Sequence, residues 1–65
     1  MNVDLLEYKM KEAGYKTSEQ RAEVLELSLS AYYRRTSGRC EWGKKEMDIV
    51  LDLFGAEVMN QIFFG

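Results

Sequence analysis

The chain has 65 residues, 46% of them hydrophobic, with no proline, no histidine, one cysteine and a formal net charge of −2. That length admits one domain and a small core, with about 60% of the unfolded surface buried, so helix packing must be efficient or a second copy must help. A lone cysteine without histidine excludes an internal disulfide and the usual zinc sets, and no apolar run approaches the ~20 residues that span a bilayer.

Asp4 and Glu7 stand near the amino end, where a leader would be basic and then apolar, so the expected compartment is the cytoplasm. Asn2 is placed to cap a first helix over about Val3–Ala13, with acids near its start and Lys9 and Lys11 near its end, as the helix dipole favours. Leu6, Met10 and Ala13 form its inward stripe, Gly14 is the residue that ends it, and Tyr15 folds back on the stripe. Thr17 with Gln20 three residues on is a capping box for a second helix over about Ser18–Leu25, inward through Ala22 and Leu25.

Ser28 caps a third helix starting at Leu29 and stopping before Gly38, with Leu27 as a buried plug between the two helices. Two short helices joined by so tight a turn form a helix-turn-helix unit. Glu26 holds the turn position where glycine would relieve a left-handed backbone, at a cost on the order of 1 kcal/mol. Along the third helix, Tyr32 shares the core side with Leu27 and Ala31, while Ser30, Tyr33 and Arg34 lie toward the opposite side. Arg34, Arg35 and Arg39 crowd its end, Arg35 as a surface cation. From Leu29 to Lys45 there are five cations and one anion, a net of +4, against four cations and ten anions elsewhere, a net of −6. A positive segment on an acidic body is the footprint of a protein that meets a polyanion with one face.

Cys40 reads as a small buried hydrophobe. Trp42 against Met47 is a hydrophobic staple around Gly43, the cap of a fourth helix over about Lys44–Phe54 with Glu46 at its third position. Met47, Val50, Leu51 and Phe54 make its core stripe; Ile49 and Leu53 fall off it, and Gly55 ends the helix. Ala56–Phe64 predicts a short fifth helix, apolar through Val58, Met59, Ile62 and Phe63, that closes the bottom of the bundle. Phe64, with Ile49 or Leu53, is a candidate dimer surface. Nothing reads as a strand except short ambiguous runs such as Ile62-Phe63-Phe64, so the expected fold class is all-α, one domain over residues 1–65.

The pattern Thr17-Ser18-Glu19-Gln20-Arg21-Ala22, then Leu25-Glu26-Leu27-Ser28, Ser30-Ala31-Tyr32-Tyr33-Arg34-Arg35 and Ser37-Gly38, resembles the helix-turn-helix of the phage Cro and lambda-type repressor family, in particular its small stand-alone prophage regulators. The likeness runs over nearly the whole chain. It implies a five-helix lambda-repressor-like DNA-binding domain acting as a homodimer on a pseudo-palindromic operator, with the third helix, about 29–36, in the major groove. By the same resemblance the base-reading positions fall on Leu29, Ser30, Tyr33 and Arg34, and the phosphate-contacting positions on Ser18, Ser37 and Arg39. The chain departs from the family at Leu29, where Gln is frequent, at Arg21, usually apolar, and at Thr36, usually larger and apolar. Arg21 is expected to snorkel or to mark local strain.

An enzyme is not expected, since there is no histidine, and Asp48 and Asp52, one helical turn apart, read as solvated charges. No metal, cofactor, membrane or small-molecule substrate is implied; the partners expected are double-stranded DNA and a second copy. The rival reading is a protein-interaction module on the same fold, antirepressor- or antitoxin-like, using its apolar tail.

Overall fold

The computed structural model describes residues 1–65, and its first helix begins where the cap stands: the Asn2 side chain accepts the Leu5 N–H at 3.0 Å, opening α1, Val3–Glu12. Four more helices follow, α2 (Ser18–Val24), α3 (Leu29–Thr36), α4 (Lys44–Phe54) and α5 (Ala56–Phe63), and there is no strand. The Thr17–Gln20 capping box opens α2, with the Gln20 N–H on the Thr17 hydroxyl at 3.1 Å, and Ser28 opens α3 by accepting the Ala31 N–H at 3.1 Å.

Three of the helices end alike. Tyr15 N–H reaches back to the Met10 carbonyl, Leu27 N–H to that of Ala22 and Arg39 N–H to that of Arg34, each at 2.9 Å. This is the Schellman closure, in which the residue before the returning N–H is left-handed. Gly14 and Gly38 fill that place in α1 and α3, whereas α2 uses Glu26 at φ 59°. Glu26 thus holds the left-handed place that glycine fills in the other two, and α4 supports it: the Lys45 ammonium donates to the Glu26 carbonyl at 3.2 Å, with a Glu26 carboxylate oxygen 3.9 Å away.

The core is Leu6, Met10, Ala22, Leu25, Tyr32, Val50, Ile62 and Phe63, at least one residue from each helix and Leu25 from the turn. Pairwise, α4 packs on α5, α2 on α3 and α1 on α5, and the Asn2 N–H donates to the Ile62 carbonyl at 2.7 Å, so the last helix closes against the amino end. Trp42 meets Phe63 edge to face at 5.6 Å and, with Met47, packs on the core. No helix is long and apolar enough to cross a membrane.

Several expectations need correction. Ala13 is exposed, because α1 stops at Glu12 and the left-handed Gly14 turns the chain before a third inward position is reached. Leu25 and Phe64 cap their helices rather than continue them. Cys40 is only half-buried, with its thiol 3.6 Å from the Glu41 carbonyl in the loop after α3. Arg21 neither snorkels nor strains its helix; it is 5% exposed with every part of its head group occupied. Arg35 is not a free surface cation but half-buried and paired with Glu46.

Candidate functional site

The face that α3 turns to solvent is defined by what its other face must hold. Tyr32 is its one fully buried residue, and Arg35, one turn further on, is drawn inward by Glu46. Helical geometry then leaves Ser30, Tyr33 and Arg34 outside, all three exposed. A shallow groove collects Ser30, Tyr33, Arg34, Ser37 and Arg39, bordered by Val3, Glu7 and Thr36. Five of the seven expected contact residues are thus together. Leu29, half-buried, and Ser18, at the start of α2, lie outside this groove.

The two serines differ in what they can offer an anion. Ser18 Oγ accepts from the Arg21 guanidinium at 3.2 Å, so its own hydroxyl proton is free to be donated. The Ser37 hydroxyl donates to the Arg34 carbonyl at 3.2 Å, so it must leave that bond before it can donate elsewhere. The same carbonyl accepts the Arg39 and Cys40 N–H groups at 2.9 and 3.1 Å, which fixes the loop carrying Arg39 to the end of α3.

The electrostatics are narrower than the charge count suggested. Of the five cations between Leu29 and Lys45, Arg35 pairs with Glu46, Lys44 with Asp48 and Lys45 with Glu26, leaving Arg34 and Arg39 unpaired. Elsewhere Lys11 and Lys16, both exposed, make no ion pair either, and Lys16 lies two residues before Ser18. Glu7, at the rim of the groove, is offset by Arg21, whose guanidinium is 3.6 Å from its carboxylate.

Two buried networks escaped the sequence reading. Around Arg21, the Nε–H donates to the Tyr32 hydroxyl at 2.9 Å and a terminal N–H to the Tyr15 carbonyl at 3.2 Å, while the Tyr32 hydroxyl is 3.5 Å from Glu7. Burial pushes the Tyr32 phenol above its ordinary value, and Arg21 pulls only partly against it. Around Glu46, 3% exposed, one carboxylate oxygen accepts both the Arg35 Nε–H and the Gly43 N–H at 2.8 Å. Burial pushes this carboxyl up, but the Gly43 N–H and the Arg35 guanidinium outweigh it and hold the group below its ordinary value. The available signal was an arginine four residues before the inward Leu25, since a cation on an inward face requires a partner.

No three histidine, cysteine, aspartate or glutamate side chains come together in a way that could hold a metal ion. The arrangement offers hydrogen-bond donors, a phenol and two unpaired guanidiniums on one face. No family model, curated protein or solved structure matches the chain.

Proposed function

We propose that the protein is a sequence-specific DNA-binding regulator of transcription, of the phage or prophage repressor kind, working in the cytoplasm as a homodimer. In this reading α2, the turn and α3 are a helix-turn-helix within a lambda-repressor-like five-helix domain, and α3 enters the major groove. The observation that carries it is Arg34, exposed and without an ion pair on the outer face of α3, flanked by Ser30 and Tyr33. A guanidinium in that position suits the O6 and N7 of guanine, a serine hydroxyl suits several bases, and Leu29 offers only apolar contact to a thymine methyl. Arg39, Ser18 and, after rotation, Ser37 take phosphates, which fixes register without reading sequence. Cofactors and catalysis have no part in this proposal.

Titration against random-sequence duplex DNA over a salt series, followed by selection of preferred sites, tests it. Binding should weaken as salt rises; Arg34→Ala should relax base preference, and Arg39→Ala should weaken binding to all sequences alike. Phe64, 69% exposed, favours a second reading, an interaction module for a protein partner. Absence of duplex binding at low salt would leave that reading and remove the first.

A further inference from the structure

α3 is gripped from inside by two polar clamps, and we propose that Tyr32 and Arg35 are positioning residues that fix the roll of α3 about its own axis and thereby set the angle at which Tyr33 and Arg34 meet base edges. The inference rests on the DNA reading above. Tyr32 is the only fully buried side chain of α3, and apolar packing of a single ring is non-directional, so by itself it leaves the helix free to roll. Hydrogen bonds that involve a charged partner are directional and short. The Tyr32 hydroxyl takes the Arg21 Nε–H of α2 at 2.9 Å and lies 3.5 Å from Glu7 of α1. Three residues on, Arg35 gives its Nε–H to Glu46 of α4 at 2.8 Å, and the Gly43 N–H holds the same oxygen. Three helices therefore hold α3 at two points one turn apart, and the two displayed side chains lie between those points in sequence.

With side chains a helix is about 5–6 Å in radius, so a roll of about 20° moves an outward tip by about 2 Å. That is enough to break a two-bond contact to guanine, whereas a cation–phosphate contact tolerates it.

Two substitutions test the clamps from sites that face away from DNA. Tyr32→Phe deletes only the hydroxyl, and Glu46→Gln, on α4, keeps an acceptor for the Gly43 N–H while removing the charge opposite Arg35. Each variant, shown to be folded by far-UV circular dichroism, is titrated by fluorescence anisotropy with the duplex recovered from site selection and with a scrambled duplex of equal length. The expected result is a loss of about tenfold in the selected-to-scrambled affinity ratio. Scrambled binding by Tyr32→Phe should stay within about twofold, with its salt dependence unchanged, and scrambled binding by Glu46→Gln, which releases Arg35 from its ion pair, should not weaken. Equal losses on both duplexes, or an unchanged ratio in the folded variants, overturn the positioning role while the DNA reading stands. Failure of the unaltered protein to bind either duplex overturns the DNA reading and this inference with it. Should Tyr32→Phe unfold the domain, Glu46→Gln decides alone.

Discussion

At the scale of single residues, Glu26 and Arg21 both break local rules, and the structure shows opposite outcomes. Glu26 stays left-handed at φ 59°, and its compensation comes from Lys45, whose hydrogen bond goes to the Glu26 backbone carbonyl and survives loss of the side chain. The side-chain ion pair, 3.9 Å between groups 54% and 67% exposed, is worth well under about 1 kcal/mol. Relief of the left-handed strain is worth about 1 kcal/mol, so it wins. Glu26→Gly should therefore raise the Tm by about 4 °C in thermal unfolding, and an unchanged or lower Tm would contradict this account. Arg21, by contrast, is accommodated because each of its three guanidinium nitrogens donates a hydrogen bond. Its partner Glu7 keeps a third of its side chain in water, so it can rehydrate when the arginine is lost. An apolar side chain of similar volume fills the space but leaves the buried Tyr32 hydroxyl and the Tyr15 carbonyl without their donor, and removing one partner of a buried polar network costs more than replacing all of it. Arg21→Met is expected to cost about 1–3 kcal/mol, and Arg21→Ala, which adds a cavity to the same unsatisfied groups, about 2 kcal/mol more. Urea unfolding of both variants checks the order.

At the scale of elements, the chain's helices were legible because their ends are local. Thr17 with Gln20, Ser28, Gly14 and Gly38 each act within five residues of themselves, and the helices start and stop where those residues stand. What joins the helices was not legible. Tyr32 meets Arg21 across 11 residues and Glu7 across 25, Arg35 meets Glu46 across 11, and Lys45 meets Glu26 across 19. No helical periodicity encodes such pairings, so on the sequence alone Arg35 and Lys45 count toward a positive surface. The outward face of α3 was legible for the same reason as the caps, since the spacing of Tyr32, Tyr33 and Arg34 on one helix decides it. The α3–α4 joint also carries a pH signature. Glu46 has its carboxyl held below the ordinary value in the folded chain, so the unfolded chain takes up its proton first as pH falls. Its contribution is therefore complete above the unfolded value of about 4.3 and is lost as pH drops through the lower folded value. Glu46→Gln should flatten that acid limb in a series of urea unfolding curves between neutral and acid pH. An acid limb of unchanged slope would show that Glu46 does not set it.

At the scale of the whole molecule, charge pairing decides how strongly any polyanion can be held. Five of the nine cations are engaged in ion pairs, which leaves Lys11, Lys16, Arg34 and Arg39, and the net charge remains −2. On a body of net negative charge, the unpaired Arg34 and Arg39 make the groove on α3 a positive spot, which favours orientation over raw affinity. Each phosphate neutralised contributes about 0.9 to the slope of log K against log salt. If Lys16 and Arg39 meet phosphates from each of two copies while Arg34 reads a base, the slope should be no steeper than roughly −4. Removing Arg39 then reads out the stoichiometry directly. Arg39→Ala should reduce the slope by roughly 0.9 if one copy binds and by roughly 1.8 if two bind together, with base preference unchanged. An unaltered slope would mean that Arg39 meets no phosphate; its loop, fixed by three hydrogen bonds to the Arg34 carbonyl, would then serve to cap α3 alone.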